Sequence, residues 1–557
     1  MIEYLKLNST NCKNCYKCIR HCPIKSIRFS AGQAHIVPEE CILCGECTVI
    51  CPQNAKEIRS DLERAKVLVS ENPRVAVSLA PSFVARYGCG IDEMRRVLGE
   101  LGFADIEETA NGAKLVKDEY DRLCREGSHN VIISTCCHSV NLLVRKHFPE
   151  ALQALARVVT PMYAHCESMK KRMPDAKTVF IGPCLSKKAE AEDYPGVVDC
   201  VLTFDELDQW LDEKGIKISP KADEQKGGKT RLFPTTGGIL RSMACDMGDY
   251  TYMAVDGADN CISVLKDVSA GKLDHVFIEM SICPGSCIGG PAMGEKRTEM
   301  VRNRRAIDLA SGNEDFNVET LSDDEMKRDH SYIGVKAALP GTKAIEEILR
   351  KMGKTKPEDE LNCGSCGYNT CREKAIAVYQ GKADLSMCLP FLKEKAESFS
   401  DNILDNTPNG ILVVNNALEV QQINRAALEL LNLRSPQDVL GEPVIRILDP
   451  APFGEALETD EDIRARRTYL AEYRRTVEQT IVHDRKDGSL LCIMRDITAE
   501  EAERERKDTI AHSTIEITDA VVEKQMRVVQ EIASLLGETT AETKIALTKL
   551  KESLANE

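Results

Sequence analysis

No stretch of this 557-residue chain offers the ~20 consecutive apolar residues of a bilayer-spanning helix, so a helical membrane protein is excluded. The first residues, Met1 to Lys6, lack the apolar core of a secretory signal, which predicts that the chain is not exported. Positive charge is not in excess either. Lys and Arg number 73 against 88 Asp and Glu, a net charge of −15, and a general nucleic-acid binder needs a basic stripe instead. Towards the C-terminus there is no phosphate-binding loop, kinase nucleotide motif or DNA-reading helix. What remains is ordinary soluble composition, 43% hydrophobic and 29% charged. At roughly 150 residues per domain, the length predicts three to five domains. The chain also holds 24 cysteines. Without export, clustered thiols hold metal or do redox chemistry rather than form disulfides.

The thiols fall in groups. Cys12, Cys15, Cys18 and Cys22, followed by Pro23, form a C-x2-C-x2-C-x3-C-P run, and Cys41, Cys44, Cys47 and Cys51 before Pro52 repeat it. This is the spacing of two-cluster bacterial ferredoxins, in which the last cysteine of each run ligates the other run's cluster. One cluster is thus expected on Cys12, Cys15, Cys18 and Cys51, and the second on Cys41, Cys44, Cys47 and Cys22. A third group, Cys363, Cys366, Cys371 and Cys388, has glycines beside its thiols. Glycine lets tight turns aim amide N–H groups at cluster sulfurs, and the stretch resembles the small 4Fe-4S domain appended to several redox proteins. Zinc is the competing occupant.

Between about residues 72 and 330, short apolar runs alternate with amphipathic stretches. The runs are Val75 to Leu79, Val131 to Ile133, Thr178 to Ile181 and Val276 to Ile278. That pattern predicts an α/β region with buried parallel strands. Each run ends where reactive residues begin, at Pro81-Ser82, Cys136-Cys137, Pro183-Cys184 and Cys283. Sites in open parallel sheets gather beyond the carboxyl ends of strands, so four segments deliver their tips to one neighbourhood. A helix beginning near Pro284 would place Cys283 and Cys287 on one face.

Three segments carry a resemblance: Ser134-Thr135-Cys136-Cys137-His138-Ser139-Val140, Gly182-Pro183-Cys184-Leu185-Ser186-Lys187, and Cys283-Pro284-Gly285-Ser286-Cys287. They resemble the three active-site motifs of [FeFe]-hydrogenases, in that family's order and behind a ferredoxin module. The resemblance covers residues 1 to about 330. It implies an H-cluster: a [4Fe-4S] cluster on Cys137, Cys184, Cys283 and Cys287, bridged through Cys287 to a two-iron unit carrying CO, CN⁻ and a dithiolate amine. It further implies that Lys187 faces one cyanide, that Pro81-Ser82 contacts the other, and that Cys136 is the proton-shuttle thiol. Glu190, three residues after Lys187, is spaced to orient it on a helix. A solvated surface pair is the plain alternative for Lys187 and Glu190, and a vicinal disulfide or inert thiol for Cys136.

The sequence departs from the family in places. His138, Ser139 and Val140 stand where Pro, any residue and a large aromatic are usual, and Gly182 and Ser281-Ile282 stand where methionines are common. The acids available downstream of the shuttle are Asp118, Glu119 and Asp121. Cys89, Cys124, Cys166, Cys200, Cys245, Cys261 and Cys492 are assigned no role.

After Pro390 the metal signals stop. Asn409-Gly410 and Asp487-Gly488 beside apolar runs are hairpin signals, and residues 401 to 500 look like a PAS sensory domain without a haem or flavin signature. His483 is expected at the surface. Residues 500 to 536 read as a long amphipathic helix, broken near Gly537 and restarted after Thr539 or Thr540, which either packs on the PAS domain or pairs with a second copy.

The expected architecture is multidomain. It comprises an α+β two-[4Fe-4S] ferredoxin module (1–60), an α/β hydrogenase core (72–335), a small 4Fe-4S domain (340–395), an α+β PAS domain (400–500) and C-terminal amphipathic helices (501–557). The expected function is reversible H2 oxidation, with electrons relayed through [4Fe-4S] clusters that flank the core on both sides, and with PAS output. The rivals are a slow H2 or redox sensor and a hydrogenase-like iron–sulfur assembly protein. The expected partners are a redox protein such as ferredoxin, H-cluster maturation enzymes, a downstream signalling protein and a second copy of the chain. Nucleic acid is not among them, and the expected compartment is the cytoplasm.

Overall fold

The computed structural model describes residues 4–223, 226–245, 250–335, 338–485 and 487–554. The outer ends of the first and last expected domains, residues 1–3 and 555–557, therefore lie outside the described residues, as does half of the stretch read for an export signal. The chain forms two compact units, Met1–Leu392 and Lys393–Glu557.

The first unit opens with two short antiparallel pairs, Leu5–Leu7 with Lys56–Ile58 and Ile27–Ser30 with Gln33–Ile36. The two cysteine runs lead into the short helices Lys17–His21 and Glu46–Val49.

The core that follows is built on two parallel sheets rather than one. A four-stranded sheet runs Asp105–Glu108, Val75–Leu79, Lys177–Gly182, Cys200–Thr203. A three-stranded sheet runs Thr251–Asp256, Val276–Ser281, Val131–Ile133. Every residue of Val75–Leu79 is buried, as helices on both faces of a parallel sheet require. Val77, Leu79, Phe83, Val179, Ile181 and Leu202 form one continuous hydrophobic core with the helices around that sheet.

The third cysteine group does not sit on the far side of this core, as its place in the sequence suggests. It folds back onto the ferredoxin module. Lys25 Nζ donates to the Gly367 carbonyl (3.1 Å), Arg20 donates to the Gly364 and Ser365 carbonyls (3.3 and 3.2 Å), and Lys382 pairs with Glu40 (2.6 Å). Gly367 has φ +93°, and a Cβ there would lie 2.9 Å from Ile19, so close docking and the left-handed turn both call for glycine. The third cysteine group thus lies on the side of the two N-terminal runs instead of across the core from them.

In the second unit, a five-stranded antiparallel sheet runs Val420–Ile423, Gly410–Asn415, Ser489–Asp496, Arg475–Asp484, Ile463–Leu470. Asp487-Gly488 lies in the turn joining the last two strands in sequence, whereas Asn409-Gly410 is the entry to a strand and not a hairpin turn. His483 is held by Asp460 at 3.0 Å. The C-terminal helix runs unbroken over Thr498–Leu554. A lone glycine costs about 1 kcal/mol against alanine but keeps its N–H, so Gly537 does not stop the helix and no new N-cap forms at Thr539 or Thr540. Ile510, Ile517, Val521, Val528 and Leu535 are all exposed on it, which rules out core packing of that stretch within the unit.

Candidate functional site

Four of the seven core strands, two from each sheet, lead to one cavity of about 100 Å³. Val75–Leu79 delivers Pro81 and Ser82, and Val131–Ile133 delivers Cys136 and Cys137. Lys177–Gly182 delivers Cys184 and Lys187, and Val276–Ser281 delivers Cys283 and Cys287. Cys137, Cys184, Cys283 and Cys287 all line this cavity, and Cys283 lies in the field of the other three. Cys283 and Cys287 reach it without an α-helix at Pro284. Gly285 (φ +75°) and Ser286 (φ +65°) turn left-handed into a single 3₁₀ turn, Ser286–Gly289. A hydrogen-bonded 3₁₀ turn is tighter than an α turn, and glycine at 285 allows the reversal that precedes it.

The thiols sit in surroundings that disfavour their charge. Burial pushes the Cys283 thiol far up and Cys287 up to about 12. A thiolate is the ligand form, so bound iron would supply the charge that this apolar wall withholds. Ser82 Oγ, fully buried at the cavity, has no hydrogen-bond partner. Orphaned buried hydroxyls are uncommon, and one turned to a cavity fits a polar ligand atom.

Lys187 is not a surface residue. Its ammonium lies at the cavity 2.6 Å from Glu190 and 3.4 Å from the Cys136 carbonyl. Burial opposes its charge, but Glu190 outweighs burial and the lysine pKa is raised. Glu190 also accepts from Thr160 Oγ1. His138, at 3.8 Å from Glu190, is held neutral by its burial and by the charge of Lys187. Where methionine is common in the family stands Gly182. A Cβ there would lie 2.8 Å from the Phe180 ring and 2.9 Å from Ala80, so Phe180 fills that part of the cavity wall.

Cys136 Sγ lines the cavity and lies 3.3 Å from Tyr120 Oη. Burial raises its thiol to about 12 even though the tyrosine hydrogen bond pulls the other way. Tyr120 was not legible as a site residue, since only the fold carries its helix, Ala110–Glu126, past the thiol. The acids of that helix do not line the cavity. Asp118 pairs with Lys114 and Lys117, Glu119 with Arg122, and Asp121 accepts from the Ala244 amide.

Glu279 was missed as well. It is buried and accepts hydrogen bonds from the amides of Gly237 (2.8 Å) and Leu240 (3.1 Å), yet desolvation dominates and raises its carboxyl to about 7. The folded chain therefore holds this proton more tightly than the unfolded chain does. Its contribution to stability is complete below the ordinary carboxylate range and is lost as pH rises through about 7. Denaturant titrations between pH 4.5 and 8 are expected to show the native protein losing about 3 kcal/mol more than Glu279→Gln over that interval. Equal slopes would mean that Glu279 is ionised throughout.

Three further thiol sets stand near this site. Cys41, Cys44 and Cys47 lie in one another's field together with Cys22, while Cys18 lies in that of Cys12 and Cys51. That grouping is compatible with the cross-over expected between the two runs. Cys44 also lines the main cavity and acts on Cys283, which puts the second ferredoxin site next to the core. Cys363, Cys366, Cys371 and Cys388 line one small cavity of their own. Of the seven unassigned cysteines, Cys245 is exposed and the rest are buried.

Comparison with known proteins bears on these parts separately. Residues 65–291 match the iron-only hydrogenase large subunit, C-terminal domain. Residues 4–67 match a 4Fe-4S dicluster domain, 359–390 an Fe-S cluster domain and 399–467 a PAS domain. The periplasmic [Fe] hydrogenase large subunit of Nitratidesulfovibrio vulgaris is 26% identical over 373 residues, 52% of this chain and 86% of that protein. The NADP-reducing hydrogenase subunit HndD of Solidesulfovibrio fructosivorans is 24% identical over 334 residues, 47% of this chain; the match spans 57% of that protein's length. The nuclear prelamin A recognition factor of Xenopus laevis is 22% identical over 364 residues, 51% of this chain and 79% of that protein. In the described residues, no helix is long and apolar enough to cross a membrane.

Proposed function

From a chain that carries an iron-only hydrogenase large-subunit domain, a 4Fe-4S dicluster domain and a PAS domain, we propose an enzyme that interconverts H2 with protons and electrons and reports H2 or redox state through its PAS domain. One observation carries this reading. Four thiols, a buried ammonium and an orphaned buried hydroxyl all face one cavity.

Cys137, Cys184, Cys283 and Cys287 are the residues that would hold the H-cluster. When bound, that group supplies the redox chemistry of H2 cleavage and formation. The chain's own residues bind, orient and move protons. Lys187, kept charged by Glu190, supplies a cation for an anionic ligand atom at one wall, and Ser82, beside Pro81, supplies a hydroxyl donor at another. Phe180, Met162 and Phe233 line the remaining wall and exclude bulk water, which strengthens those polar contacts. Cys136 holds a proton on Sγ within the cavity and gives or takes it one at a time, as general acid–base catalysis requires.

Cys41, Cys44, Cys47 and Cys22, then Cys12, Cys15, Cys18 and Cys51, and Cys363, Cys366, Cys371 and Cys388 are the residues that would each hold a [4Fe-4S] cluster. Such clusters would supply electron transfer between the core, which Cys44 adjoins, and a redox protein such as ferredoxin. Maturation enzymes install the two-iron unit. The apolar residues exposed along Thr498–Leu554 pair with a second copy of the chain, and a separate signalling protein reads the PAS domain. The thiol count favours the cytoplasm, although one relative is periplasmic. The slow-sensor rival shares this site and differs only in turnover. An assembly protein without a two-iron unit has no use for a buried Lys187 or a thiol at Cys136.

Infrared spectroscopy of the matured chain tests the proposal. CO and CN⁻ stretches are expected, shifted in Lys187→Met. Their absence after full maturation would leave only the assembly reading.

A further inference from the structure

Thr109 also lines the cavity, and its Oγ1 is 2.7 Å from Ser78 Oγ. Ser78 Oγ is 2.8 Å from His165 Nδ1, and His165 Nε2 is 3.2 Å from Glu107 Oε2. Glu107 is gripped at both oxygens by Arg172 (2.9 and 2.8 Å). Ser78 and His165 are completely buried and Thr109 is nearly so. Glu107 lines a second, polar cavity of about 620 Å³ that includes the largely exposed Asp92 and Arg95. A line of four side chains, each within hydrogen-bond reach of the next, therefore runs from the thiol-lined cavity to a wet one.

We propose that Thr109, Ser78, His165 and Glu107 form a proton wire between the catalytic cavity and solvent, separate from Cys136. The proposal rests on the hydrogenase reading above. Three observations favour it over a merely satisfied polar network. Ser78 occupies the middle of a buried parallel strand whose other residues are apolar, a position that favours a hydrophobic side chain. Each hydroxyl and the imidazole can accept a proton on one side and donate on the other. The hydrogen bonds from Cys136, by contrast, run to Tyr120, from Tyr120 to Thr135, and from Thr135 Oγ1 to the Val158 carbonyl, which has no proton to pass on.

The inward step conserves every proton. Water in the polar cavity protonates His165 at Nε2 across the Glu107 carboxylate, Nδ1–H gives its proton to Ser78, Ser78 gives its own to Thr109, and Thr109 releases one into the catalytic cavity. Rotation of the hydroxyls and return of the ring to its first tautomer reset the line. H2 oxidation runs it outward. Burial works against the ionised form of Glu107, but hydrogen bonds from His165 and Arg172 hold its carboxyl well below the usual range, so Glu107 stays a carboxylate beside the imidazole.

The wire is testable in the full-length, unmatured chain. With 15N-labelled histidine, and with the His165 signal assigned by its loss in His165→Gln, exchange of the imidazole N–H with water is expected to be fast despite complete burial. It should slow in Glu107→Gln and be lost in Glu107→Gln combined with Ser78→Ala, or with Thr109→Val should Ser78→Ala not fold. Slow exchange in the native chain, or exchange that the double variant leaves unchanged, overturns the proposal. In the matured chain, Cys136→Ala and Glu107→Gln together should reduce turnover by more than the product of their separate effects, because each leaves the other route open; a simple product overturns the wire's role in H2 chemistry. Failure of the hydrogenase reading would show instead as missing CO and CN⁻ stretches, with the imidazole exchange unaffected.

Discussion

Replacing Cys136 with alanine is expected to lower H2 turnover of the matured chain by about 10²–10⁴-fold, the range a positioned proton-transfer group contributes. The two-iron unit should still assemble, because Cys136 is not among the four thiols proposed to hold the cluster. Its Sγ lines the same cavity, and Tyr120 Oη fixes it from behind at 3.3 Å. With a pKa near 12 the group is a thiol at neutral pH, so it stands ready as a donor and becomes a thiolate only at the moment of transfer. Steady-state H2 production with an artificial electron donor, alongside infrared spectra of both proteins, decides the matter. Unchanged turnover with unchanged CO and CN⁻ bands would make Cys136 an inert buried thiol. A small fall would favour the wire through His165 as the main route.

The second large effect is on stability. Glu190→Ala should destabilise the first unit by about 3–5 kcal/mol, the cost of stranding one partner of a buried ion pair. The side chains of Lys187 and Glu190 are 10% and 2% exposed and 2.6 Å apart, and Thr160 loses its acceptor as well. Exposed pairs at this spacing are worth a few tenths of a kcal/mol, so magnitude alone separates the two situations. The pH dependence follows from Lys187. Its pKa is raised, so the stability it contributes is complete below the ordinary lysine value of 10.5 and is lost only as pH rises through the higher folded value. With Glu190 removed, burial is left to oppose the charge of Lys187, so the destabilisation should be largest where the stranded lysine is still protonated and should shrink towards alkaline pH. Replacing both residues, as Lys187→Met with Glu190→Gln, should recover much of the loss, because no buried charge is then left unpaired. Urea titrations of the three proteins measure this. A loss below about 1 kcal/mol for Glu190→Ala would mean that Lys187 reaches water when its partner is removed.

The grouping of the thiols was legible from the chain alone, because their spacing is local. A C-x2-C-x2-C run brings its thiols to one side of a tight loop whatever surrounds it, and the expected cross-over between Cys22 and Cys51 rests on the repeat. Buried parallel strands also declare themselves by uninterrupted apolar runs, and that placed the tips at Ser82, Cys136, Cys184 and Cys283 before any coordinates. Sequence did not determine the turn at Gly285, where the i, i+4 spacing of Cys283 and Cys287 is equally compatible with an α-helix. Nor did it determine the docking of Cys363–Cys388 on the ferredoxin module, which depends on Lys25 and Arg20 reaching carbonyls more than 300 residues away. Tyr120, Glu279 and the line from Thr109 to Glu107 belong to the same class. Each residue is unremarkable in its own segment and acquires its role only when strand pairing sets Val75–Leu79 beside Asp105–Glu108 and a helix lays His165 across them. Local spacing fixes what a backbone loop can present. Which buried groups then face one another is decided by the tertiary packing of distant segments, because only packing removes the water that would otherwise satisfy them separately.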